Sequence, residues 1–150
     1  MFKEILVVDD SATIRNLAQI MFRNSPGVTV HVAGTGDEAE QLLRGQPGID
    51  AILLDINMPG DSGLHVLANV RKLGGHFATL PVVIMSADDR DKTVVEAMRI
   101  GANGYIKKPF SLVKLTELFD RIHAHHTGKP RRRKPAAKAV NAPGSARRPG

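Results

Sequence analysis

Short unbroken apolar runs alternate along the chain with longer stretches whose apolar residues recur every three or four positions. Runs of the first kind predict strands at 3–8, 50–55, 81–85 and 104–107, and a partly alternating stretch predicts one at 28–33. Stretches of the second kind predict helices at 11–24, 36–44, 62–73, 91–100 and 111–125. In the first helix Ile14, Leu17, Ala18, Met21 and Phe22 fall on one face. In the last, Leu115, Leu118, Phe119 and Ile122 do the same. Pro26-Gly27, Gly45, Gly74-Gly75 and Gly101 stand where these helices should stop. Five βα units in about 126 residues imply a parallel sheet with helices on both faces. The run 51–54 has no polar interruption, as expected of a strand buried on both sides. Right-handed crossovers and short units suit a doubly wound sheet of order 2-1-3-4-5. Its site then lies outside the carboxyl ends of strands one and three.

Polar residues stand where the apolar runs stop. Asp9 and Asp10 follow the run 5–8, Asp55 follows 51–54, Ser86 follows 82–85, and Lys108-Pro109 follows the strand of Tyr105 and Ile106. Each has an ordinary reading by itself. Asp10 or Ser11 can cap a helix, and Asp55 can simply end a buried strand. Parallel strands bring all of these ends to one edge, and the joint placement points to a shared site. Three carboxylates in one cleft repel one another and disfavour their charged forms. Mg²⁺ removes that penalty, since it prefers oxygen ligands and combines one or two carboxylates with phosphate oxygens. A phosphoryl group arriving there finds its charge offset by the metal and Lys108 and a donor in Ser86. One of the carboxylates can itself be the nucleophile.

Composition changes this picture at two points. The absence of cysteine excludes disulfides and a thiolate nucleophile and is compatible with a reducing cytosol. The run at 5–8 is too short for a signal-peptide core or a membrane span, so a soluble, cytoplasmic protein is expected. The net charge of +6 is unevenly spread. Residues 127–150 carry eight of the 21 Lys and Arg and none of the 15 Asp and Glu, which leaves the remainder at −2. The division expected is a folded domain over 1–126 and a basic tail over 127–150. The tail has no apolar period and is expected to be disordered.

The motifs ILVVDDS (5–11), LLDINMPGDSG (53–63), VVIMSA (82–87) and GANGYIKKPF (101–110) occur in this order. In these motifs the chain resembles the receiver domain of two-component response regulators, of the single-domain, chemotaxis-regulator-like kind, over about 1–125. The resemblance implies a flavodoxin-like fold with the five-stranded order 2-1-3-4-5 and five helices. It implies that Asp55 is the phospho-acceptor and Asp10 a direct Mg²⁺ ligand. Asp9 would act through a metal-bound water, and the backbone carbonyl of Asn57 would be a further ligand. Ser86 and Lys108 stand at the family's hydroxyl and lysine positions, and the Lys108-Pro109 bond is expected to be cis. Tyr105 matches the aromatic switch position, and Asn57 and Asp88 match positions that tune dephosphorylation. The partners implied are a sensor histidine kinase or phosphotransfer protein and a downstream target that reads the face made by the helix at 91–100, the strand at 104–107 and the helix at 111–125. The protein would be a phosphoryl acceptor with self-catalysed transfer and autodephosphorylation, rather than an enzyme with its own substrate turnover.

Other readings remain beside this one. A phosphate sink or relay intermediate would have no output of its own. A haloacid-dehalogenase-type phosphatase needs a second acid two positions after Asp55, where Asn57 stands. A flavodoxin-type electron carrier needs a phosphate loop where Asp9 and Asp10 would repel the ligand, and aromatics that one Tyr and no Trp cannot supply. The tail cluster Lys129, Arg131, Arg132, Arg133 and Lys134 suits nucleic acid or another polyanion, by phosphate contact rather than base stacking. It can equally be a solubilising end or fold back over the acidic pocket. Gly60, Gly63, Gly101 and Gly104 are expected in turns. His123, His125 and His126 are expected at a solvated helix end.

Overall fold

The computed structural model describes residues 2–59, 62–87 and 92–126, of His126 only the backbone. Asp88, Gly60 and the tail residues Lys129, Arg131, Arg132, Arg133 and Lys134 lie outside the described residues, as does the whole of 127–150.

Strands and helices alternate: β1 (Glu4–Val8), α1 (Ala12–Phe22), β2 (Thr29–Ala33), α2 (Gly36–Gly45), β3 (Ala51–Asp55), α3 (Gly63–Lys72), β4 (Val82–Ser86), α4 (Lys92–Ile100), β5 (Gly104–Lys107) and α5 (Leu112–His126). All strand pairs are parallel, in the order β2-β1-β3-β4-β5. The flavodoxin-like topology expected from the sequence is therefore the one observed. Side chains alternate across the pleat and feed two cores. Leu6, Val8, Ile52, Leu54 and Ile84 pack with α2, α3 and α4. Ile5, Val7, Leu53, Val83 and Met85 pack with α1 and α5. Strands β3 and β4 are buried at every position, which explains their unbroken apolar runs.

Side-chain caps start α1, α2, α3 and α5. Ser11 Oγ accepts the Ile14 N–H, Thr35 Oγ1 the Glu38 N–H, Ser62 Oγ the Leu64 N–H and Ser111 Oγ the Lys114 N–H. Each cap satisfies a donor the first turn cannot pair. The capping residue itself lies outside the helix, so α1, α3 and α5 begin one residue later than the periodicity suggests.

Three details differ from, or add to, the sequence pattern. Leu17 lies on the apolar face of α1 yet is 51% exposed. The apolar stripe of α1 is wider than its contact with the sheet, so Ala18 and Phe22 fill that contact and Leu17 overhangs it. Residues 75–78 form a short 3₁₀ turn rather than a simple stop, entered through positive φ at Gly74 and Gly75. Of the glycines expected in turns, Gly101 fits, with φ +133. Gly63 instead opens α3 and Gly104 lies in β5 beneath Leu118 and Ile122. Both are small for reasons of space.

The Lys108-Pro109 peptide is cis, as expected. Among the described residues, no helix is long and apolar enough to cross a membrane.

Candidate functional site

The register lines the carboxyl ends up. Val8 pairs with Leu54, Asp55 with Met85, and Ser86 with Lys107. Asp9 therefore leaves β1 beside the end of β3, while Asp55 and Ser86 are the last residues of β3 and β4. Asp9, Asp10 and Asp55 each offer a carboxylate oxygen within 4.8 Å of the others. Asp9 and Asp55 are buried, and Asp10 is exposed.

Lys108 closes the cluster. Its Nζ stands 3.2 Å from Asp55 Oδ1 and 3.3 Å from Asp9 Oδ2. Its backbone N–H donates to the Ser86 carbonyl at 2.7 Å, so the end of β4 fixes where this lysine leaves β5. Lys107 is exposed, as the alternation along β5 requires. Ser86 is fully buried next to the cluster. Asp55 Oδ1 also accepts the Asn57 N–H at 3.2 Å, which brings the backbone of residue 57 to the same edge. Tyr105 lies on β5 with 43% of its surface exposed.

The electrostatics are those of an under-compensated acidic pocket. Burial pushes the Asp9 carboxyl above its ordinary range, and Asp55 adds to this. The Ser11 N–H, at 2.9 Å from Asp9 Oδ1, and the Lys108 ammonium only partly offset it. For Lys108, burial works against the charge, but the attraction of Asp55 and Asp9 outweighs it and raises the pKa. One ammonium thus pairs with two of the three clustered carboxylates. All three donors are oxygens, they converge, and one carboxylate is exposed to accept an arriving ion. This set fits a hard divalent cation such as Mg²⁺.

Two relationships escaped the sequence. Gly63 approaches the Asp55–Ile56 backbone so closely that a β-carbon would collide with the Asp55 carbonyl oxygen and stand 2.6 Å from Ile56 Cα. Arg15 donates from Nη1 to the Asp9 carbonyl at 2.7 Å. No local pattern announces either, because both depend on how closely a helix folds back on the end of its own strand.

The model of the family described as the response regulator receiver domain matches residues 5–120. The chain belongs to this family, the receiver domains of two-component signalling. Among similar proteins, chemotaxis protein CheY-3 of Vibrio cholerae serotype O1 is 34% identical over 119 residues, covering 79% of this chain and 90% of that protein. Chemotaxis protein CheY of Pseudomonas aeruginosa is 31% identical over 125 residues, 83% of this chain and 99% of the relative. Among solved structures, the receiver domain of NtrX from Brucella abortus superposes with a TM-score of 0.70 at 32% identity, covering 79% of this chain and 96% of that one. CheY4 of Vibrio cholerae does so with a TM-score of 0.72 at 26% identity, covering 81% and 99%. Receiver domains of this family bind Mg²⁺ at an acidic aspartate cluster, and Asp9, Asp10 and Asp55 form such a group here.

Proposed function

We propose that Asp55 accepts a phosphoryl group from a phosphohistidine of a sensor kinase or phosphotransfer protein, and that the resulting acyl phosphate switches the face of α4, β5 and α5. The observation that carries this reading is the Lys108 ammonium bridging Asp9 and Asp55 at the edge where β1, β3 and β4 end. An Asp55 carboxylate oxygen attacks phosphorus in line with the histidine nitrogen. The O–P bond forms as the P–N bond breaks, and the imidazole leaves with the electron pair. Lys108 is already beside Asp55 Oδ1 and meets the charge that gathers on the phosphoryl oxygens. Mg²⁺, held by Asp10, Asp55 and the Asn57 carbonyl with Asp9 reached through a water, would supply the remaining neutralisation.

Ser86 lies buried at the end of β4 and supplies a hydroxyl to a new phosphoryl oxygen. Tyr105, on the neighbouring strand, then has reason to turn inward. Asn57 and Asp88 orient water for hydrolysis, which makes the phosphoryl state one of minutes or less. An output by protein contact is favoured over a pure phosphate sink by one observation. Val95 and Met98 on α4, Tyr105 on β5 and Val113 on α5 are all exposed. Isolated exposed apolar residues are ordinary, but four on three consecutive elements suit a partner surface. For the basic segment 127–150, beyond the domain proposed over 1–126, the proposal is contact with nucleic acid or another polyanion through Lys129, Arg131, Arg132, Arg133 and Lys134. The expected compartment is the cytoplasm.

Transfer from a radiolabelled phosphohistidine domain tests the reading. Label should move to the intact chain with added Mg²⁺ and not to Asp55→Asn. Equal labelling of the two would overturn it.

A further inference from the structure

Resting on the reading of Asp9, Asp10 and Asp55 as a Mg²⁺ site, we propose that Arg15 is a positioning residue for that site. By gripping the carbonyl between Asp9 and Asp10, it sets where the Asp10 carboxylate stands.

Asp10 has little else to hold it. It is exposed, and among the described residues it makes no hydrogen bond of its own. Its placement therefore follows from the backbone around it. On the Asp9 side, the N–H donates to the Ala33 carbonyl at 3.1 Å, and the side chain takes the Ser11 N–H at 2.9 Å. The group left over is the carbonyl of the Asp9–Asp10 peptide. A peptide unit is planar, so the tilt of that carbonyl directs the next α-carbon and its side chain. Arg15 Nη1 holds it at 2.7 Å from the first turns of α1.

The guanidinium lies close against the neighbouring loop. A β-carbon at Gly34 would stand 3.0 Å from Arg15 Nη1 and 3.4 Å from Cζ. Gly34 does not have a positive φ, so space rather than backbone conformation keeps this position small. Its N–H is fixed by Glu38 Oε1 at 2.7 Å. Arg15 thus bonds the β1–α1 turn while lying against the β2–α2 turn.

Charge and position pull in opposite directions, which makes the inference decidable. A guanidinium beside a cation site repels the cation, so charge alone predicts that losing Arg15 tightens Mg²⁺ binding. Loss of a group that orients a metal ligand typically weakens binding by about 10- to 100-fold. The decisive measurement is calorimetric titration of the full chain with MgCl₂, with thermal melts to confirm folding at the assay temperature. Wild type should bind one ion, and Asp10→Asn should lose it. Arg15→Met should bind at least about 10-fold more weakly, although a positive charge has gone. Arg15→Lys, which keeps the charge but lacks the planar fork, should also be weaker. Gly34→Ala changes no charge, presses on the guanidinium, and should weaken binding severalfold. It decides the matter if Arg15→Met does not fold. Unchanged or tighter binding by the folded Arg15→Met, or unchanged binding by Gly34→Ala when it must decide, overturns the inference and leaves the Mg²⁺ site standing. No binding by wild type overturns both.

Discussion

Gly63 packs its backbone directly against the carbonyl of Asp55, so the first residue of α3 and the last residue of β3 share space that no side chain can enter. The contact is reinforced by the Gly63 N–H, which donates to the Ile56 carbonyl at 3.1 Å. An alanine there must push the end of β3 away from α3. Gly63→Ala should cost about 1–3 kcal/mol in urea unfolding, the range for overpacking a tight interior. Phosphoryl acceptance should fall as well, because the displaced element carries Asp55.

Asp9 should make the metal-free protein less stable than it can be. Its carboxyl titrates above the ordinary value of 3.8, chiefly because it is buried. The folded state then binds the proton more tightly than the unfolded chain does. Stability from this group accordingly falls as pH rises from about 3.8 through the raised value, and the loss persists at neutral pH. Asp9→Asn, which still offers an oxygen to the Ser11 N–H, should melt at a higher temperature than wild type at pH 7 in EDTA. The gap should close below about pH 3.8, and Mg²⁺ should raise the melting temperature of wild type more than that of the variant. A variant that melts lower at pH 7 would show that the Lys108 contact outweighs burial.

Arg71 ties the opposite edge of the sheet together. Its Nη1 donates to the Phe77 and Leu80 carbonyls at 2.9 and 2.8 Å, and its Nη2 donates to the Gly101 carbonyl at 2.6 Å. Burial lowers its pKa, yet no carboxylate is among these partners, so backbone carbonyls carry the compensation. Arg71→Met should destabilise the fold by about 3 kcal/mol, since several charge-assisted bonds are lost and their carbonyls left short of donors. Phosphoryl acceptance should stay within about twofold of wild type at temperatures where the variant is folded, because these contacts lie at the end of the strands away from Asp55.

Tyr105 is the chain's single tyrosine, and there is no tryptophan, so intrinsic fluorescence reports on one side chain. It is half-exposed in the structure described. Beryllofluoride with Mg²⁺ should reduce its quenching by iodide if the ring turns inward when Asp55 is occupied. Ser86→Ala should bind the analogue and lose much of that change. Undiminished quenching in wild type would separate Tyr105 from the switch.

Removal of residues 127–150 should leave phosphoryl acceptance intact and abolish binding to duplex DNA. For the full chain, with all eight tail charges engaged, log K should fall against log salt with a slope of about −7. Salt-insensitive binding would count against phosphate contact.

Much of this molecule was legible before its structure. The buried strands announced themselves because a strand covered on both faces, like Ala51–Asp55, has no polar position to interrupt it. The site was legible for a related reason. Parallel strands must end at one edge, so Asp9, Asp55, Ser86 and Lys108 are brought together by topology alone. The exposure of Leu17 was not legible, because periodicity gives the apolar face of a helix but not how much of that face the sheet covers. Gly63 and Arg15 were missed because each acts where a helix folds back on the end of its own strand. There the distance, rather than the residue type, carries the meaning.

Intact-protein mass spectrometry after incubation with phosphoramidate and Mg²⁺ tests the central claim most directly. The expected result is one added phosphoryl group in wild type, mapped to Asp55 and absent from Asp55→Asn. Addition that survives the substitution, or no addition to the wild-type chain, would contradict a phospho-accepting role for this carboxylate.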